Sequence, residues 1–583
     1  MNAASGLSAG ASERLRASWA ETFRREVMPE LLASEDGFSG LYAGGGRPNW
    51  SVARLLGVCL LQQVQNLSDQ QALDALSFDR RWQHALDVTD DGAYLSRRSL
   101  VEFRRRLVQH DADGSLLRAV FDRICAAGMT RLGVSASEQR LDSTLVTSNI
   151  RSHGRLSLAR ETLRVFVRSL DDARRAKLPA EIARWYTLES DAWDVHLSGE
   201  HAKASVLEVG AWVGVTLALF ANDDAVTACE PYQLLQRLAT EHGTALGLSE
   251  PDTVDDRDDD DDDTTAGATA AETPAERAKR QARNKRKSRV KATRARFWSP
   301  HDPDASFGHK GLGYHVHITE TCRNETTEML TSYAVVAAAQ SDIGQTMPAL
   351  KRLEQSGVKP AVLYADAGYP TASEMIAMHE QGVDLCAPVH RGRLAVETMS
   401  RSDFEIDGRS GEVIRCPEGH APTRHAERES SDTIHPRRSL HAFFERDTCN
   451  VCPQLARCPV RQPNNGYTDY RLDVAQEMVV RDARWAEQQT EPWKARYSIR
   501  GGIEATMSEL KRAHGLGRLR VRRLVRVIIQ VALKTTACNI KRWMRAVLCG
   551  SPDAAEIAPG ASWWLVIIDM VDIAPTPAIA IAA

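Results

Sequence analysis

Four polar residues in one short stretch have the types and spacing of a phosphate-handling surface. They are Tyr497, Arg500, Glu504 and Lys511, within Tyr-Ser-Ile-Arg-Gly-Gly-Ile-Glu-Ala-Thr-Met-Ser-Glu-Leu-Lys. Their offsets are i, i+3, i+7 and i+14, so a helix turning about 100° per residue would carry all four on one narrow face. A carboxylate set among a phenol, a guanidinium and an ammonium can hold a divalent cation while its cationic neighbours take the charge of a nucleic-acid backbone. A solvated face with intrahelical ion pairs fits the spacing equally well. Gly501-Gly502 costs a helix about 1 kcal/mol per residue relative to Ala, so local irregularity is expected there.

A metal-binding carboxylate needs partners, and two upstream segments offer one each. Gln139 to Asn149 has the alternation and β-branched content of a strand carrying Asp142, an acid that taken alone would be a surface or edge residue. Ala361-Val-Leu-Tyr-Ala-Asp366-Ala-Gly-Tyr is a short apolar strand ending in an acid before Gly, the place where open α/β sheets put ligand-binding groups. Around these lie a predicted strand over 313–321, a second over about 330–340, helices over 344–356 and 373–381, and a strand over 383–389. His315 and His317 alternate onto one strand face, for which sheet packing is the default reading and metal ligation the alternative.

With 583 residues the chain is too long for one compact core. Hydrophobic content of 43% and charged content of 26% are those of a soluble globular protein. The net charge of -3 hides a segregation: residues 250–263 hold ten acids and one Arg, a net of -9, which leaves +6 elsewhere. Residues 496–526 hold nine Lys/Arg against two Glu, so basic charge gathers around the Glu504 stretch, as nucleic-acid binding requires. No signal peptide is legible at the N-terminus, and Asp569 and Asp572 interrupt the apolar run 563–568 well short of a span, so no membrane role and a cytoplasmic location are expected. The 11 cysteines then read as thiols or metal ligands. Cys416, Cys449, Cys452 and Cys458, with His420 as an alternate ligand, suit a structural zinc knuckle; reduced structural cysteines and a redox role remain the other readings.

The pattern Tyr-x2-Arg-x3-Glu-x6-Lys, matched at Tyr497, Arg500, Glu504 and Lys511, resembles the signature of bacterial insertion-sequence transposases of the DDE type. Tyr-Ala-Asp366-x-Gly-Tyr, Asp142-Ser-Thr, the Asp-Pro-Asp-Ala and Gly-Tyr phrases near 302–314, and Leu-Ser-Asp and Phe-Arg-x-Arg-Leu near 67–107 resemble other phrases of that family. The likeness covers about 45–150 and 297–545. It implies that Asp142, Asp366 and Glu504 are catalytic and hold Mg²⁺ or Mn²⁺, two ions in all. It also implies that Tyr497, Arg500, Lys511, Arg518, Arg520, Arg522 and Arg523 grip double-stranded DNA, at the element's terminal inverted repeats and at the target, with the chain a homodimer or higher oligomer associated with the nucleoid.

The fold so implied is α/β, an RNase H-like core interrupted by a helical and a cysteine-rich insertion behind an all-helical N-terminal domain. Its segments are a helical DNA-binding or dimerisation domain at 1–130, the first core strand at 131–154, a helical insertion at 155–250 and a charged linker at 251–298. The core resumes at 299–390, followed by the cysteine-rich insertion at 391–470, the Glu504 helix and basic C-terminal helices at 471–548, and a tail at 549–583. The alternatives are a catalytically inactive relative that only binds DNA, and a zinc-dependent scaffold in which the acids are dispensable.

Overall fold

The computed structural model describes residues 7–42, 50–151, 153–187, 199–248, 296–390, 399–407, 412–429, 438–463 and 468–549. The acidic and basic blocks and the apolar tail lie outside the described residues.

The centre is a mixed sheet of β1 (Glu138–Val146), β2 (Ser306–Gly308), β3 (Gly311–Thr321), β4 (Leu330–Ala337), β5 (Val362–Tyr364) and β6 (Asp384–Cys386), in the order β2-β3-β1-β5-β6 with β4 on β3. β3 runs antiparallel to β1, β2 and β4, whereas β5 is parallel to β1 and β6 to β5. Register follows from what each face buries. Leu141, Leu363, Ala365 and Leu385 pack on one side with Ala349, Leu350 and Met378, the apolar stripes of helices Thr346–Gln355 and Ala372–Glu380. Arg140 and Asp142 therefore point to the other side, because successive strand residues alternate.

That other side is covered by a core in which the N-terminal helices, the sheet and the C-terminal helix all take part. Helix α1 (Val52–Val64) is apolar nearly all round and buries Leu56, Cys59 and Leu60 there, and Ser68 caps the next helix with a reciprocal Gln71 contact. Glu491–Tyr497 (α2) and Ile503–Arg512 (α3) are separated by the 3₁₀ turn Ser498–Gly502, so the predicted irregularity at Gly501-Gly502 is a break between two helices. The long α4 (Leu524–Cys549) buries residues from Val527 to Met544. Its Trp543 sits in one cluster with Phe23, Leu56, Phe121 and Ile318, so the N-terminal helices have no core separate from the sheet's.

The insertion does have its own core, in which Leu163, Phe166, Val209, Val213, Phe220 and Tyr232 pack together. Its helix Gly199–Phe220 includes a stretch, Lys203–Phe220, long and apolar enough by composition to cross a membrane, and part of that stretch is spent on this core. The cysteine-rich region carries a three-stranded sheet of Arg424–Glu429, Arg438–Phe444 and Tyr470–Val474 with a small core around Phe404, Phe444 and Leu472.

Candidate active site

Parallel register brings the first two acids together. Arg140 of β1 is paired with Tyr364 of β5, so two residues further along both strands Asp142 and Asp366 stand at the same end of adjacent strands. Glu504 arrives from the first turn of α3, one helical step beyond Arg500. The Arg500 guanidinium sits among all three, with Nη2 2.8 Å from Asp142 Oδ2 and 3.5 Å from Asp366 Oδ2, and Nη1 3.4 Å from Glu504 Oε1. Asp142, Asp366, Arg500 and Glu504 line an open pocket of about 490 Å³ together with Lys310 and Lys511.

The acids differ in setting. The Asp142 side chain is 13% exposed, Asp366 37% and Glu504 72%. Burial raises the Asp142 carboxyl, with Arg500 opposing and the Asp366 charge adding to the rise. Its Oδ1 accepts from the Ser143 N–H at 2.7 Å, and Asp366 Oδ1 accepts from Gly368 N–H at 2.9 Å, so backbone donors orient both groups. A cluster of hard carboxylate oxygens beside the Arg500 guanidinium fits a hard divalent cation by donor chemistry.

Tyr497 takes a different position from the phosphate-facing stripe its spacing suggested. Its ring stacks on Trp493 with centroids 4.7 Å apart, and its hydroxyl donates to the Ala365 carbonyl at 3.1 Å, one residue before Asp366. Burial pushes the phenol up to about 12, so it stays a hydrogen-bond donor that buttresses the Asp366 strand end. Lys511 lines the pocket, and Arg518 and Arg520 are exposed on the segment leading to α4. Arg522 instead donates to the Asn149 carbonyl at 2.6 Å, and Arg523 is ion-paired with Glu230 of the insertion. Arg104 is likewise engaged inside the helical region, by Asp69 and Gln62.

A set of buried charges behind the pocket was not recognised in the sequence. Glu320 on β3 is fully buried and is held by Arg140 at 2.7 Å, by Arg542 of α4 at 2.6 Å and by the Thr506 hydroxyl of α3. Arg542 also donates to Glu509 of α3 at 2.7 and 3.0 Å. The Arg140 Nη1 reaches the Ile499 carbonyl at 3.0 Å, inside the 3₁₀ turn that carries Arg500. Position and tilt of the Glu504 helix are thus fixed by hydrogen bonds between the sheet and Thr506 and Ile499, and by the Glu509–Arg542 ion pair to α4. The sequence signal was slight: an Arg and a Glu inside predicted strands, flanked by Gln139 and Leu141 and by Thr319 and Thr321.

Gly502 is required by the same contact, since a Cβ there would lie 1.9 Å from Arg140 Nη1. Gly502→Ala is expected to push the guanidinium off Glu320 and cost about 1–3 kcal/mol of stability, as overpacking of a fixed site does. Urea unfolding of the two proteins checks this; equal midpoints and slopes would mean that Arg140 moves aside freely.

His315 and His317 are buried against the sheet, each with a nitrogen just under 4 Å from Asp342 Oδ1, and His317 Nδ1 is 2.8 Å from the Tyr369 hydroxyl. In the cysteine-rich region the Cys449 thiol is pushed up to about 11, by burial first and then by Cys458, Cys452 and Cys416, and Cys416, Cys449 and Cys458 pack against the same small core. His420 approaches Cys416 through its backbone N–H, 3.4 Å from Sγ.

Residues 415–544 match the family model described as Transposase DDE domain, and residues 20–106 match the one described as Transposase domain. No curated protein matches the chain, and no solved structure does.

Proposed function

We propose that this chain, a DDE-type transposase with an N-terminal transposase domain, cuts DNA at the ends of an insertion sequence and joins them to target DNA at the pocket formed by Asp142, Asp366 and Glu504. The observation that carries the reading is the convergence of three carboxylates from β1, β5 and α3 on one guanidinium at the open end of the sheet. The sheet, in which β4, β3 and β1 pair antiparallel, β5 and β6 follow parallel to β1, and the short β2 adds to β3, supports an RNase H-like core.

Asp142, Asp366 and Glu504 are the residues that would hold two divalent ions, Mg²⁺ or Mn²⁺. Bound there, such ions supply activation of an attacking water or DNA 3′-hydroxyl and stabilise the departing oxygen. The chain's own contribution is placement. Lys310 and Lys511 flank the acids and match the charge of a phosphodiester, while exposed Arg518 and Arg520 continue the cationic surface beyond Lys511. Arg500 holds Asp142 and Asp366 in position from a side chain only 15% exposed. Tyr497 fixes the Asp366 strand end from below. Hydrolysis and strand transfer need no second site, because only the attacking hydroxyl differs. A homodimer or larger assembly on double-stranded DNA in the cytoplasm, and a structural zinc on Cys416, Cys449, Cys452 and Cys458, complete the reading.

The test is incubation of the purified full chain with supercoiled plasmid carrying the element's ends. Nicking in Mg²⁺ or Mn²⁺, its absence in EDTA, and no restoration by Zn²⁺ alone are expected. Cleavage that persists in EDTA overturns the assignment.

A further inference from the structure

We infer that Glu509, His514 and Cys538 form a second metal centre, of zinc type, which ties α3 to α4 beside the end of α1. One ligand-type atom from each residue lies within 4.8 Å of the other two. His514 and Cys538 are buried completely. The site is separate from the carboxylate pocket and does not rest on the nuclease reading.

The imidazole is set up as a ligand. His514 Nδ1 lies 3.3 Å from the Gln63 carbonyl, which fixes the proton on that nitrogen and leaves a bare lone pair on Nε2. Nε2 is buried without a hydrogen-bond partner. An acceptor left so is desolvated with nothing to offset it. Glu509 gives one oxygen, Oε2, to Arg542 and retains Oε1. Cys538, on the buried face of α4, provides the third donor.

Thiolate, imidazole and carboxylate together prefer zinc to magnesium. On binding, the Cys538 thiol gives its proton to solvent, so the thiolate sets one full charge against the ion while Glu509 shares its charge between the ion and Arg542. Glu320 is the other carboxylate on Arg542, and Lys534 and Lys541 are opposing charges near His514. Zinc bonds of roughly 2.0–2.3 Å draw ligands closer than the present spacing, a closure of roughly 1 Å for these side chains.

Metal-free full chain is titrated with Co²⁺, followed by the thiolate charge-transfer band and by bound metal per chain. Cys538→Ala and His514→Gln are each expected to bind one equivalent less than the unaltered protein, with the band reduced in Cys538→Ala. Equal stoichiometry and equal band in the folded variants overturn the proposal. Where a variant does not fold, X-ray absorption of the zinc-loaded unaltered chain in excess Mg²⁺, compared with its His420→Ala form, decides: nitrogen or oxygen donors beside sulfur that persist without His420 are expected, and an all-sulfur shell in the His420→Ala form overturns the proposal.

Discussion

Glu504→Gln is expected to lower metal-dependent DNA cleavage by roughly 10³-fold or more while leaving DNA binding and stability nearly unchanged. Gln keeps the shape and removes the charge that a hard cation requires. The side chain is 72% exposed and its one ion pair, with Arg500 at 3.4 Å, is of the exposed kind that contributes little. The electrostatic grip on DNA is assigned to Lys310, Lys511, Arg518 and Arg520, none of which is altered. Plasmid nicking and fluorescence anisotropy on the same preparations separate the two effects. Loss of binding in parallel with cleavage would make Glu504 a structural residue, and retained cleavage would remove it from the site.

The second large effect is on folding. Glu320→Gln leaves Arg140 as a buried cation whose carboxylate partner has gone, and deprives Arg542 of one of two. Removing one member of such a pair typically costs about 3–5 kcal/mol, because the remaining charge stays desolvated. Chemical denaturation measures the loss, and combination with Arg140→Met should recover part of it, since the stranded charge is then removed as well. A change below about 0.5 kcal/mol, the range of ordinary surface substitutions, would mean that water reaches these groups.

The residues that meet at the pocket were legible because their signals are local. The spacing of Tyr497, Arg500, Glu504 and Lys511 needs only one turn-by-turn element, and Asp366 is announced by the apolar strand before it and the Gly after it. Gly501-Gly502 likewise foretold a break in the helix. What could not be read is pairing across the chain: Arg140 meets Glu320 over 180 positions, and Arg542 meets it over 222. No periodicity encodes such a contact, and each of these residues alone looks like a solvated charge. The spacing of Tyr497 was informative but its direction was not, since the 3₁₀ turn between α2 and α3 rotates it under β5. Arg522 and Arg523 were assigned to DNA from the family likeness and the basic run around them, and neither reveals that a carbonyl and a glutamate from elsewhere occupy them.

Helix α4 has a bearing on how the molecule comes apart. Because its buried face is shared by the amino-terminal helices and the strands beneath the acids, neither partner keeps a closed interior once the other leaves. The two form a single cooperative unit that opens all at once, whereas the insertion around Phe166 and Tyr232 has a core of its own, closed by Phe297 from the start of the returning chain, and can loosen before the rest.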